Sequence, residues 1–167
     1  MKLSEAFQQA TDEFITLIET LDEDELNMKP EYGRWSPGQI SDHIHKSYAS
    51  AETMIGHTES TNRAPEEKVS SIRNVFTDFT IQMQSPKAIL PSEQHLDKSR
   101  LLMNLQNRVA QIMEIINTRD LSETCLDFVI PEYGAFTRLE WAWFNTYHTQ
   151  RHLHQLKDVI HDITKKR

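Results

Sequence analysis

The run from Glu140 to Lys157 reads Glu-Trp-Ala-Trp-Phe-Asn-Thr-Tyr-His-Thr-Gln-Arg-His-Leu-His-Gln-Leu-Lys and contains neither glycine nor proline. Thr137-Arg-Leu-Glu140, where it begins, reads as a capping box that starts a helix. On a helix, side chains four residues apart lie one turn above each other on one face. His148 and His152 have that spacing, Trp141, Asn145, Gln155 and Val159 continue their stripe, and Phe144 borders it. Two imidazoles so placed can address a common atom, and imidazole is the commonest metal ligand. A pair is half a site, so the remaining question is whether the rest of the chain brings a third ligand there.

Only four of the 167 residues are glycine, and long stretches carry apolar residues at helical period, so the expectation is an all-α chain. Ser4 is placed to cap a first helix, on which Phe7, Ala10, Phe14, Leu17 and Leu21 form a seam; the acidic Asp22–Glu25 stretch and Pro30 to Gly33 then read as a loop. The second helix starts at Ser36, with Pro37 at its first position and Gln39 three residues after the cap. Its inward positions are Ile40, His43, Ile44, Ser47, Ala51 and Met54. From His57 to Ser92 the pattern weakens: 58–67 reads as polar loop, 68–79 as a short helix, and Pro86 and Pro91 break the chain. A third helix follows, with a seam of Leu102, Leu105, Val109, Ile112 and Ile116. The reading is a four-helix bundle in a single domain over residues 1–167, with one long connection between helices 2 and 3.

The charge balance narrows the partners. With 25 acidic against 18 basic side chains the formal charge is −7, and there is no basic run or stripe, so neither nucleic acid nor an anionic membrane surface is an expected partner. No apolar run approaches the roughly 18 residues of a membrane span. The start, Met1-Lys-Leu-Ser-Glu-Ala-Phe, is amphipathic without a signal-type hydrophobic block, and Cys125 is alone, which together point to the cytoplasm. Cys125 itself reads as a packed thiol with no role.

Of eight histidines, His45, His57, His95, His154 and His161 read as surface or loop residues, leaving His43, His148 and His152 facing inward. A single inward histidine is more often a hydrogen-bonded core residue than a ligand. Three in one small core are harder to explain by packing, because each unpaired buried nitrogen costs roughly 1–3 kcal/mol. One divalent cation would satisfy all three, and three protein ligands leave an open position of the kind catalytic metal sites keep. Periodicity alone leaves both readings standing. No glutamate has a histidine three residues later, which removes the di-iron carboxylate bundles, and no His-Glu-x-x-His zinc protease motif is present.

Two motifs then point to a family. Trp35-Ser-Pro-Gly-Gln-Ile-Ser-Asp-His43 resembles the second-helix signature of the DinB/YfiT-like superfamily, and Gly134-Ala-Phe-Thr-Arg-Leu-Glu-Trp141 with His148-x-x-x-His152 and Gln155-Leu156 resembles its fourth-helix signature. Order, spacing and helix placement agree over nearly the whole chain, and 57–96 is where little matches. The resemblance implies a four-helix bundle, commonly a homodimer, with zinc or nickel held by His43, His148 and His152. It also implies that some relatives are thiol-dependent transferases or isomerases using bacillithiol, mycothiol or glutathione. The expectation is a metal-dependent thiol S-transferase acting on small electrophilic substrates. A hydrolase built on the same ligands and a non-catalytic metal-binding bundle are the alternatives. No catalytic side chain is assigned; Asn145, Gln155 and Tyr48 are candidates for supporting or substrate-facing roles, and Trp35, Trp141 and Trp143 for packing or pocket walls.

Overall fold

A computed structural model of the chain describes residues 1–165. In chain order its elements are α1 (Leu3–Thr20), α2 (Glu23–Asn27), α3 (Pro37–Ser47), α4 (Ser50–Ile55), β1 (Thr58–Glu59), α5 (Val69–Phe76), α6 (Lys98–Thr118), β2 (Thr124–Cys125) and α7 (Arg138–Thr164), with single 3-10 turns at Glu31–Gly33 and Lys87–Ile89. The chain is mainly helical, as its period implies. α1 and α3 each pack on both α6 and α7, so the four enclose one core. Phe7, Phe14 and Ile18 of α1, Ile40 and Ile44 of α3, Leu105 and Ile112 of α6, and Leu156 and Val159 of α7 meet in it. Each such side chain contributes about 1.5–3 kcal/mol through removal from water.

The helix starts follow the capping rules closely. The Ser36 hydroxyl accepts the Gln39 amide at 3.1 Å while the Gln39 side chain accepts the Ser36 amide at 3.2 Å, with Pro37 at the first turn. Thr137 and Glu140 make the same reciprocal pair at the start of α7. Gly38 serves a close approach: a Cβ there would stand 2.9 Å from the Leu26 carbonyl oxygen and 3.1 Å from Leu96 Cδ1. Its absence lets α2 and the chain entering α6 lie directly on the first turn of α3.

Several expectations are corrected. α1 begins at Leu3, ahead of Ser4, and its seam uses Ile18 where Leu17 was expected. The acidic stretch after α1 is a short helix, because the Asp22 side chain accepts the Glu25 amide at 2.7 Å and caps it. The second helix is divided at Tyr48 and Ala49. There the Ser47 hydroxyl donates to the Ile44 carbonyl at 2.8 Å, a back-bond of the kind that bends helices, and the amides of Ala49, Ala51 and Glu52 bond three residues back instead of four.

The connection between α4 and α6 is ordered by distant partners. β1 and β2 pair antiparallel, Thr58 opposite Cys125 and Glu59 opposite Thr124. Arg63 grips the fully buried Glu140 carboxylate with two bonds of 2.7 Å, and the Lys68 amide adds a third at 2.9 Å. The Lys68 ammonium donates to the Tyr133 and Ala135 carbonyls at 2.6 and 2.8 Å, flanking Gly134, whose φ of 73° suits glycine. This anchors α5 along α7. Among the described residues, no helix is long and apolar enough to cross a membrane.

Candidate metal centre

α3 and α7 lie side by side, and each turns its inward histidines into the seam between them. His43, His148 and His152 are 1%, 5% and 8% exposed. Their ring nitrogens lie within 4.8 Å of one another. The Nε2 atoms converge: His43 to His148 is 3.2 Å and His152 to His148 is 3.0 Å. Burial holds all three below the ordinary histidine range, His148 well below it and His152 down to about 3, with the neighbouring rings adding to the effect at His148 and His152. At neutral pH the cluster is therefore three uncharged imidazoles.

The outer nitrogens determine what the inner ones can do. His43 Nδ1 lies 2.8 Å from the Ile89 carbonyl oxygen, and His152 Nδ1 lies 2.7 Å from Gln155 Oε1. A carbonyl only accepts, so His43 carries its proton on Nδ1 and presents a bare lone pair at Nε2; with Gln155 accepting, His152 does the same. Both lone pairs face His148 Nε2, which has at most one proton to share between them. His148 Nδ1 is buried without a partner among the described residues. Three convergent imidazole nitrogens, two of them with lone pairs already bare, suit a cation. Tetrahedral zinc, with Zn–N bonds of about 2.0–2.1 Å, would set its nitrogens about 3.3 Å apart, close to the spacing observed. The residues fit a divalent ion, and an all-imidazole set suits zinc, nickel, copper or iron.

Aromatic rings enclose this cluster. Trp35, just before α3, lies 5.0 Å from the His43 ring and 6.4 Å from that of His152. Phe144 stacks 5.4 Å from His148, and Phe76 of α5 meets the same ring edge-on at 5.7 Å. Trp35 and Phe76 are partly exposed, so the site sits near the surface. Residues 6–156 match the family model described as the DinB superfamily. The chain belongs to the DinB superfamily. It is also similar to an uncharacterized protein of Bacillus subtilis (strain 168), YuaE, at 25% identity over 162 residues, covering 95% of this chain and 98% of that one. No solved structure matches the chain.

Against this histidine cluster the other candidates sort clearly. Gln155 takes the outer nitrogen of His152. Asn145, one turn below His148, accepts the Ser50 hydroxyl at 3.0 Å. Tyr48 is fully buried, its phenol pushed up by burial and bonded to the Thr149 hydroxyl at 2.6 Å, so it braces α3 against α7 rather than facing the histidines. Trp141 packs on Phe136 and Phe144, and Trp143 stacks on Tyr147. His57 pairs with Asp127, His95 with Glu23, and His154 stacks on Phe79, all away from the cluster. Cys125 is buried, which raises its thiol to about 11. Two contributors escaped the sequence reading. Phe76 lay in the weak pattern of the connection, and the Ile89 acceptor is a main-chain atom, for which residue type carries no signal.

Proposed function

We propose that the chain is a metal-dependent enzyme with a mononuclear centre on His43, His148 and His152, and that it transfers a small thiol to an electrophilic substrate. The observation that carries the reading is the convergence of three buried, neutral Nε2 atoms, two with their outer nitrogens already engaged. Zinc or nickel there would supply the positive charge that favours the thiolate of a low-molecular-weight thiol, or of hydroxide over water in the hydrolytic alternative.

The protein's own groups have defined tasks. Ile89 and Gln155 hold two rings in the tautomer that leaves Nε2 free. Trp35, Phe76 and Phe144 keep bulk water from the histidines and offer an apolar wall to an electrophile. In the transfer the thiol proton leaves to solvent, the sulfur forms a bond to the substrate carbon, and the leaving group departs. Since Cys125 is buried and protonated, the reacting sulfur comes from a separate small molecule. The homodimer and the cytoplasmic location implied earlier belong to this same proposal.

The test is metal content of protein purified without chelator, followed by thiol consumption with a panel of electrophiles. We expect near-stoichiometric zinc or nickel, its loss in His148→Ala and His152→Ala, and thiol turnover that depends on the metal. Metal-free wild type would sink the reading. Metal with no thiol turnover would leave the hydrolase or a binding protein.

A further inference from the structure

None of residues 77–95 is buried, so that part of the connection has no apolar anchor in the core. Polar contacts fix it instead, and those that residues 89–92 make outside the connection come from one face of α3. The Gln39 side chain donates to the Ser92 carbonyl at 3.1 Å, and the Ser92 amide donates to Asp42 Oδ2 at 2.8 Å. Lys46 donates to the Leu90 carbonyl at 2.8 Å while pairing with Asp42 at 2.9 Å. The remaining contact is His43 Nδ1 to the Ile89 carbonyl at 2.8 Å. A ligand of the candidate centre is thus also a clamp on an exposed strap.

We propose that residues 89–92 form a strap whose docking on α3 is coupled to metal binding through the tautomer of His43. The inference rests on the metal reading above. Coordination through Nε2 requires the His43 proton on Nδ1, where it bonds Ile89 and closes the strap. Without the ion, the bond to Ile89 is the one contact that holds that proton on Nδ1. The His43 and His152 lone pairs then compete for one proton on His148, and moving the His43 proton inward adds a second donor to the cluster. In that form Nδ1 presents a lone pair to the Ile89 carbonyl, the two repel, and the strap loses one of its few holds. The linkage is reciprocal: an undocked strap frees His43 to take the wrong tautomer and weakens metal binding by the same factor that metal strengthens docking. Segments held by few polar contacts are those that open locally at low free energy.

Hydrogen exchange with peptide-level readout on the full chain, titrated with zinc alone, tests this. Slowing of exchange in peptides covering 86–95, Ser92 among them, is expected to track zinc occupancy while α6 peptides stay unchanged. A Pro86→Gly, Pro91→Gly double variant keeps every ligand and every side-chain contact to the strap but loosens the undocked chain. It is expected to bind zinc about fivefold more weakly, with wild-type exchange in α6 showing that it folds. Zinc bound at the centre with unchanged exchange at 86–95 overturns the strap and leaves the metal centre standing. Wild-type zinc affinity in the double variant overturns it as well. Failure of the wild type to bind zinc or nickel at all removes the metal reading and the strap with it.

Discussion

Gln155 does for His152 what a main-chain carbonyl does for His43: it accepts a hydrogen bond from the outer ring N–H and leaves Nε2 bare. Groups in that position orient the ligand and raise its basicity, and losing one commonly lowers metal affinity about 10- to 100-fold. Gln155→Ala should fall in that range, measured by competition with a chromophoric chelator. Alanine is a good helix former, so α7 should remain intact. Unchanged affinity would show that the amide does not orient the ring. The histidine pair and Gln155 were legible in the sequence because they share one helix and spacing fixes their geometry. His43 was legible as an inward residue of another helix, but its meeting with the pair depends on how α3 packs on α7. The Ile89 carbonyl was beyond reading, since every residue carries one.

At the scale of elements, legibility followed the range of the interactions. The starts of α3 and α7 are fixed by side chains three residues from the groups they satisfy, and both fall where the sequence puts them. The stretch 58–67 is fixed by partners tens of residues away, as with Arg63 on Glu140 or β1 on β2, and read as loop. Gly38 shows the same contrast. Within a helix alanine is favoured over glycine by about 1 kcal/mol, less near an end, so local propensity argues for Gly38→Ala. The fold argues against it, because the Leu26 oxygen at 2.9 Å from the new Cβ is backbone and cannot swing aside. Overpacking of this kind costs about 1–3 kcal/mol, so Gly38→Ala should destabilise by roughly 1 kcal/mol net. Chemical denaturation measures it, and a gain in stability would mean that α2 moves freely on α3.

For the whole molecule, the three neutral imidazoles link folding to pH. Each is held below its ordinary value of 6.5 in the native state and returns to that value when the chain unfolds. Below 6.5 the unfolded chain therefore binds more protons than the folded one, and stability rises with pH. The metal-free protein should lose stability as pH falls from 6.5 towards the value of about 3 held by His152. Carboxylates contribute little above their ordinary range near 4.5, so the interval from about 6.5 to 5 belongs mainly to histidine. A bound ion acts on the same equilibrium: it binds the folded chain alone and adds about 2.7 kcal/mol at a hundred times its Kd. Because protons compete for the same Nε2 atoms, that increment should also shrink on acidification, making the metal-loaded curve the steeper of the two. His148→Leu removes a buried ring held well below its ordinary value, and denaturant midpoints of the metal-free variant between pH 5 and 7 should vary less than those of the metal-free wild type. Equal slopes would mean that His148 is already protonated or reaches solvent in the native chain, and a site assembled from uncharged nitrogens would not survive that result.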